Sequence, residues 1–131
     1  MVERDDRSGR GRFGEEQAVA YLRKTQRFQV LLRNWRCGRD ELDIIAVDGE
    51  VLVFVEVRTR SEASLVQGFY TVDAKKKRKA LRACRAYLRS LRKKPRTFRY
   101  DVVEVRLLAG GGCEVHHYEH VPLFPKGFVI E

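Results

Sequence analysis

Two strand-forming runs joined by a turn dipeptide constrain this chain more than any other feature. Glu41 to Val47 opens with polar–apolar alternation and reads as a strand, and Val51 to Arg60 is rich in β-branched side chains. Between them stands Asp48-Gly49, a dipeptide suited to a two-residue hairpin loop. With those two residues as the loop, Val47 faces Glu50, Ile45 faces Leu52, Asp43 faces Phe54 and Glu41 faces Glu56. Strand side chains alternate sides, so these positions share one face, and Arg58 joins them two residues past Glu56. Asp43 then lies diagonal to Glu56, roughly 7 Å away at Cα. A slip of one residue would send Glu56 and Arg58 to the other face.

The remaining pattern sets this hairpin in a larger sheet. A helix is expected from Gly11 to Lys24, where Ala18, Tyr21 and Leu22 recur at helical spacing. Phe28 to Trp35 reads as a strand, Cys37 to Asp40 as a loop, and Ser61 to Val72 as an irregular stretch containing Gly68. A second helix is expected from Asp73, a suitable N-cap, to about Lys93, with an apolar stripe of Leu81, Cys84, Leu88 and Leu91, and Pro95 ending it. Phe98 to Leu108 and Cys113 to Val121 read as strands joined at Gly110-Gly111-Gly112. The order α, βββ, α, ββ predicts an α/β fold, a mixed sheet flanked by helices. One domain is expected over residues 11–121, with a flexible tail at 1–10 and coil at 122–131. A chain of 131 residues is long enough for one buried core.

Several classes drop out. The apolar runs are short and broken by charge, so no transmembrane helix and no membrane partner are expected. Met1 to Arg12 is polar and charged throughout, unlike a signal peptide. Cys37, Cys84 and Cys113 are odd in number, far apart and without a CxxC pair, which argues against a disulfide framework or zinc ribbon. A reducing, cytoplasmic setting is expected.

Charge carries more information. Lys and Arg total 27 against 18 Asp and Glu, a net charge of +9. From Lys75 to Arg99 there are 13 basic residues and no acid, so this one segment supplies the whole excess. Arg78, Arg82, Arg85, Arg89 and Arg92 follow helical spacing and form a stripe beside the apolar one, and Lys75, Lys76 and Lys77 cluster at the first turn. Guanidiniums grip phosphate bidentately, and the helix N-terminus favours anions. The pattern suits either a solvated helix face or a nucleic-acid interface. As an interface it would read backbone or shape rather than base sequence, and its affinity would fall steeply with salt.

Asp43, Glu56 and Arg58 allow two readings of their own. One is an ion pair at a strand end, where the sheet meets water. The other is a site for Mg²⁺ (or Mn²⁺), a hard cation that takes carboxylate oxygens and completes its shell with water and substrate phosphate. Such a metal acidifies water and neutralises charge on a phosphodiester, and a nearby cation stabilises the more negative transition state.

The strings Gly11-Arg12-Phe13-Gly14-Glu15-Glu16, Arg33-Asn34-Trp35-Arg36, Asp40-Glu41-Leu42-Asp43-Ile44-Ile45-Ala46 and Phe54-Val55-Glu56-Val57-Arg58-Thr59-Arg60 together resemble the YraN-like family of small bacterial proteins. The resemblance continues through Gly68, the basic helix and Arg99-Tyr100-Asp101-Val102-Val103, covering about residues 11 to 105. It implies a restriction-endonuclease-like fold related to archaeal Holliday-junction resolvases, with a PD-(D/E)XK nuclease motif. Carried over by position, Asp43 and Glu56 would be metal-binding acids, the Val57 carbonyl a further ligand, and Glu15 the acid on the first helix. Resolvases cut two symmetric strands, which adds a homodimer to the expected partners beside DNA. Two departures stand out: the motif's proline is Leu42, and its lysine is Arg58. Arginine is in effect always charged, so Arg58 suits phosphate binding and is a poor general base.

The residues themselves favour Glu15 over Glu16 for an inward position. Glu15 shares a helix face with Ala18 and Leu22, whereas Glu16 aligns with Arg23; the alternative for Glu15 is a first-turn acid favoured by the helix dipole. His116, His117 and His120 read as surface residues, since His116 and His120 would be about 13 Å apart along a strand. Trp35 and Phe28 read as core, and Cys84 as a small buried hydrophobe. Asp101 is either an ion-pair partner of Arg99 or a group that orients a basic residue. The leading expectation is a Mg²⁺-dependent endonuclease for branched or structured DNA. A non-catalytic nucleic-acid-binding module on the same fold stands second, and an adaptor whose basic helix meets an acidic protein stands third.

Overall fold

The structure is a computed structural model describing residues 2–61 and 74–130, with the backbone alone over residues 2–10. In chain order the elements are α1 (Val2–Lys24), β1 (Gln29–Cys37), β2 (Asp40–Asp48), β3 (Val51–Ser61), α2 (Ala74–Ser90), β4 (Thr97–Leu107) and β5 (Cys113–Tyr118). The five strands form one sheet in the order β1-β2-β3-β4-β5. Neighbours are antiparallel except β3 and β4, which run parallel across the connection that contains α2. This is the mixed-sheet α/β architecture the pattern predicts, consistent with a restriction-endonuclease-like fold. The expected Asp73 cap and the irregular stretch around Gly68 lie outside the described residues.

Each helix covers one face, and the central strands divide their side chains between two cores. On the α1 side, Ala18, Val19, Leu22 and Phe28 pack with Ile44, Ala46, Val53, Val55, Val103 and Val105. On the α2 side, Ala83, Cys84, Tyr87 and Leu88 pack with Ile45, Leu52, Phe54, Tyr100 and Val102. A sheet buried on both faces needs apolar residues at successive positions, which is why β3 opens as Val-Leu-Val-Phe-Val. Trp35 is half-buried against the α2 core, and Cys84 is fully buried there.

Several boundaries differ from expectation, each for a local reason. The hairpin loop is Gly49-Glu50, because Asp48 pairs with Val51. Gly49 has φ 64° and Glu50 is not in the positive-φ region, the pattern of a II′ turn with glycine first rather than a I′ turn with glycine second. The pairing therefore moves on by one residue in each strand: Ile45 faces Phe54 and Val47 faces Leu52. The faces are unchanged, because odd positions of β2 still meet even positions of β3. Helix α1 begins at Val2, ahead of the expected Gly11. Helix α2 stops at Ser90, where the Ser90 hydroxyl donates to the Tyr87 carbonyl at 2.6 Å and Lys94 Nζ donates to the carbonyls of Arg89 and Leu91. Its buried stripe runs through Ala83, Cys84, Tyr87 and Leu88, with Ala80 and Leu91 partly buried at its ends, so Leu81 is displaced from the expected line.

β5 ends at Tyr118, so His120 lies beyond it, at φ 55°. His116 and His120 reach solvent as expected, but the His117 side chain is only 4% exposed. It belongs to a buried polar chain. Gln26 Nε2 donates to Tyr21 Oη at 2.9 Å, Tyr21 Oη lies 3.1 Å from His117 Nδ1, and His117 Nε2 lies 2.8 Å from Asp101 Oδ2. Arg99 grips both oxygens of Asp101, at 3.0 and 3.1 Å, and reaches Asp48 Oδ2 at 3.1 Å. The His120 amide donates to Asp101 Oδ1 at 3.1 Å. Asp101 is thus an ion-pair partner at the centre of a satisfied network. Burial alone would raise its carboxyl, but hydrogen bonds from His117, Arg99 and the His120 amide outweigh that and hold it below the ordinary value. The segment after β5 takes no regular structure yet finishes the α2 core: Leu123, Phe124, Phe128 and Ile130 pack there, with Phe98 and Phe124 edge to face at 4.8 Å.

Helix α1 meets β3 closely at Gly14. A Cβ there would overlap Thr59 Oγ1 and stand 3.0 Å from Thr59 Cβ, so glycine sets the distance at which α1 carries Glu15 across the sheet. Gly14→Ala is expected to cost about 1–3 kcal/mol in urea unfolding through overpacking, with part of the loss recovered in the Gly14→Ala/Thr59→Ala double variant. Asp101→Ala strands Arg99 and His117 without their carboxylate and is expected to cost about 3–5 kcal/mol in the same measurement. A change below 1 kcal/mol would show that water replaces Asp101.

Candidate active site

The site forms where the sheet divides. Pairing of β2 with β3 runs from Asp48–Val51 to Ile44–Val55. Past that point β2 stays paired with β1 as far as Asp40, and β3 stays paired with β4 as far as Ser61. Each inner strand follows its outer neighbour, and a gap opens at the level of Asp43 and Glu56. Alternation along β2 also breaks there. Ile44 belongs to the α1 core, whereas Leu42, two residues away, belongs to the α2 core. Asp43 sits at this twist, between the two faces.

At the gap a side chain takes over from the ladder. The Val57 amide donates to Asp43 Oδ2 at 2.8 Å. The N–H and C=O of one strand residue project toward the same neighbouring strand, so the Val57 carbonyl is aimed at the same gap. Glu56 is held at both oxygens: Arg58 Nε donates to Oε2 at 2.7 Å, and the buried Tyr100 hydroxyl donates to Oε1 at 3.0 Å. The register explains this contact, since Tyr100 lies beside Phe54, two positions before Glu56 on the same face.

Asp43, Glu56, Val57 and Arg58 line one cavity of about 590 Å³. The β1–β2 turn and the start of β2 add Arg39, Asp40 and Glu41, and α2 forms the opposite wall with Lys76, Lys79, Ala80 and Arg82. Arg82 Nε donates to Asp40 Oδ1 at 2.7 Å, tying the helix to the start of β2. Of the expected basic residues, Lys76 and Arg82 face the carboxylates across this space. Lys75, Lys77, Arg78 and Arg89 are exposed elsewhere on α2, and the Arg85 guanidinium lies 5.0 Å from the centroid of the Phe128 ring. Arg92 follows the end of the helix and does not extend its stripe.

Glu15 lies outside the cavity lining but is half-buried and close enough to act on the charge of Asp43, whereas Glu16 is exposed and pairs with Arg33 at 3.0 Å. Among the described residues no three His, Cys, Asp or Glu side chains gather closely enough to cage a metal. Asp43, Glu56 and the Val57 carbonyl are nonetheless oxygen donors of the kind a hard divalent cation takes while keeping several waters.

Sequence reasoning missed Lys79, Arg39, Asp40 and Tyr100 as parts of this cavity. Lys79 carried a usable signal: with Lys76, Ala80, Ala83 and Tyr87 it follows the helical repeat that faces the sheet. Tyr100 carried none, because its contact depends on a parallel pairing that α2 has to bridge.

The electrostatics of Asp43 are distinctive. Burial raises its carboxyl, the Val57 amide opposes this, and the nearby charges of Glu15, Glu56 and Glu41 raise it further, to about 6 from an ordinary 3.8. The folded protein therefore holds this proton more tightly than the unfolded chain, and ionising Asp43 between those values weakens the fold by on the order of 3 kcal/mol. In EDTA, Asp43→Asn is expected to unfold at higher urea than the wild type at pH 7.5, with the advantage fading as the pH falls to 4. Equal midpoints at pH 7.5 would show that Asp43 is not strained by its neighbours.

Comparison with known proteins agrees with this arrangement of motifs. The description matched over residues 14–105 is "Uncharacterised protein family UPF0102". A UPF0102 protein of Porphyromonas gingivalis is 41% identical over 123 residues, covering 92% of this chain and 90% of its own. One from Nitratidesulfovibrio vulgaris is 37% identical over 113 residues, covering 86% and 83%, and one from Pseudomonas aeruginosa is 37% identical over 106 residues, covering 80% and 84%. Among the described residues no helix is long and apolar enough to cross a membrane. The match runs from the second half of α1 through the divided hairpin and the basic helix into β4, and the chain belongs to the UPF0102 family, the YraN-like family its motifs resemble.

Proposed function

We propose that this protein is a metal-dependent endonuclease that hydrolyses phosphodiesters in branched or otherwise structured DNA. One observation carries the reading: two carboxylates and a backbone carbonyl face a wall of cations across a single cavity. Mg²⁺ or Mn²⁺ is the group that fits the donor set, held by Asp43, Glu56 and the Val57 carbonyl with Glu15 nearby; when bound it supplies acidified water and neutralises phosphate charge. The chain's own residues do the rest. Asp43 and Glu56 fix the donors, Arg58 and Tyr100 orient Glu56, and the α2 cations draw in the DNA backbone. Lys75, Lys77, Arg78 and Arg89 extend that attraction along the helix. Cutting two symmetric strands of a junction calls for two copies of the chain.

A second reading has its own support. Arg58 stays charged and is engaged by Glu56, so the site contains a poor base at that position. A binding module that holds structured nucleic acid without cutting it would retain every other feature. The experiment is a cleavage assay on labelled four-way junction, flap, single-stranded and duplex DNA with Mg²⁺ or Mn²⁺, for the wild type and Asp43→Asn purified identically. The nuclease reading expects metal-dependent cuts by the wild type alone, similar affinity for both proteins, and binding that weakens steeply with salt. Equal binding without cutting by either protein would establish the binding module instead.

A further inference from the structure

The cations around the cavity are not equivalent. Arg58 is committed to Glu56 and Arg82 to Asp40, each through Nε at 2.7 Å. Both guanidiniums therefore set the position of a carboxylate. Lys79 is exposed on the same helical wall as Lys76, and among the described residues it has no hydrogen-bonded or ionic partner. The two small residues that follow, partly buried Ala80 and fully buried Ala83, seat α2 close on the sheet beneath it. Its ammonium is a compact charge on a flexible stem, able to follow a phosphate as charge builds on it.

We propose that Lys79 is a catalytic residue whose ammonium contacts the non-bridging oxygens of the DNA phosphate seated over Asp43 and Glu56. Arg58 and Arg82 are then positioning residues for Glu56 and Asp40. The assignment rests on the nuclease reading above. In the reaction a water oxygen bonds to phosphorus and loses its proton to solvent. The P–O bond to the leaving strand breaks, and the departing oxygen takes a proton from solvent. Lys79 neither gains nor loses a proton; it offsets the negative charge that grows on the phosphoryl oxygens.

The test compares the wild type with Lys79→Ala, Lys79→Arg and, as a control for loss of surface charge, Lys93→Ala. Single-turnover cleavage is measured at saturating DNA with Mg²⁺, and affinity is measured with Ca²⁺ in its place. Lys79→Ala is expected to slow cleavage by about 10²–10³-fold. Its affinity is expected to fall far less, Lys79→Arg should restore part of the rate, and Lys93→Ala should cut as the wild type does. Wild-type cleavage by Lys79→Ala overturns the proposal. Should the wild type itself not cut, the nuclease reading fails, and Lys79 is judged by a separate readout. Lysines carrying ¹³C-dimethyl labels are followed by NMR as oligothymidylate is added, and the signal missing from Lys79→Arg identifies the residue. A saturable shift of that signal supports phosphate contact at Lys79, and an unmoved signal overturns it.

Discussion

The site depends on one hydrogen bond, the Val57 amide to Asp43 Oδ2. Where β2 leaves β3, the inner edge of β3 would present unpaired backbone groups to the interior, and such groups are costly when dry. The Asp43 carboxylate satisfies one of them and so lets the sheet divide. The same carboxylate is crowded by Glu15, Glu56 and Glu41, which raises the cost of keeping it ionised. A group that stabilises the split thus also creates a demand for positive charge at its mouth.

That demand is met from two sides. Arg58 answers Glu56 from the adjacent strand, and α2 brings Lys76, Lys79 and Arg82 across the cavity. The basic segment that supplies the excess charge is therefore no uniform coat. Its first turns overlook the carboxylates. Arg85, farther along, lies over Phe128 and helps hold the C-terminal segment on the core. One helix thus combines an electrostatic role at its start with a packing role near its end.

Much of this was legible from residue order. The two runs flanking Asp48-Gly49 specify a hairpin, and the period of two puts Asp43, Glu56 and Arg58 together. The expected turn was off by one residue in each strand, yet the paired shift leaves the paired residues from Ile44 to Asp48 on their expected faces, and Asp43 and Glu56 still meet just past the end of the pairing. What residue order did not carry is long-range. Tyr100 reaches Glu56 through a parallel pairing, His117 is buried because Tyr21 and Asp101 close around it, and Phe124 and Phe128 become core although they lie in coil. Each outcome depends on segments meeting that no local pattern brings together.

Val57 places backbone atoms of the site where ordinary substitution cannot remove them. Its side chain packs on the α1 core, while its amide holds Asp43 and its carbonyl is aimed at the gap. Alanine at this position would keep both backbone groups, so a scan of side chains would pass over the residue as a matter of packing. The geometry of the gap is instead tied to the core through the backbone. Repacking beneath Val57 moves a carbonyl and an amide together, and a distant change around Leu22 or Val103 gains a mechanical route to the carboxylate-lined gap in the sheet without altering a charged residue.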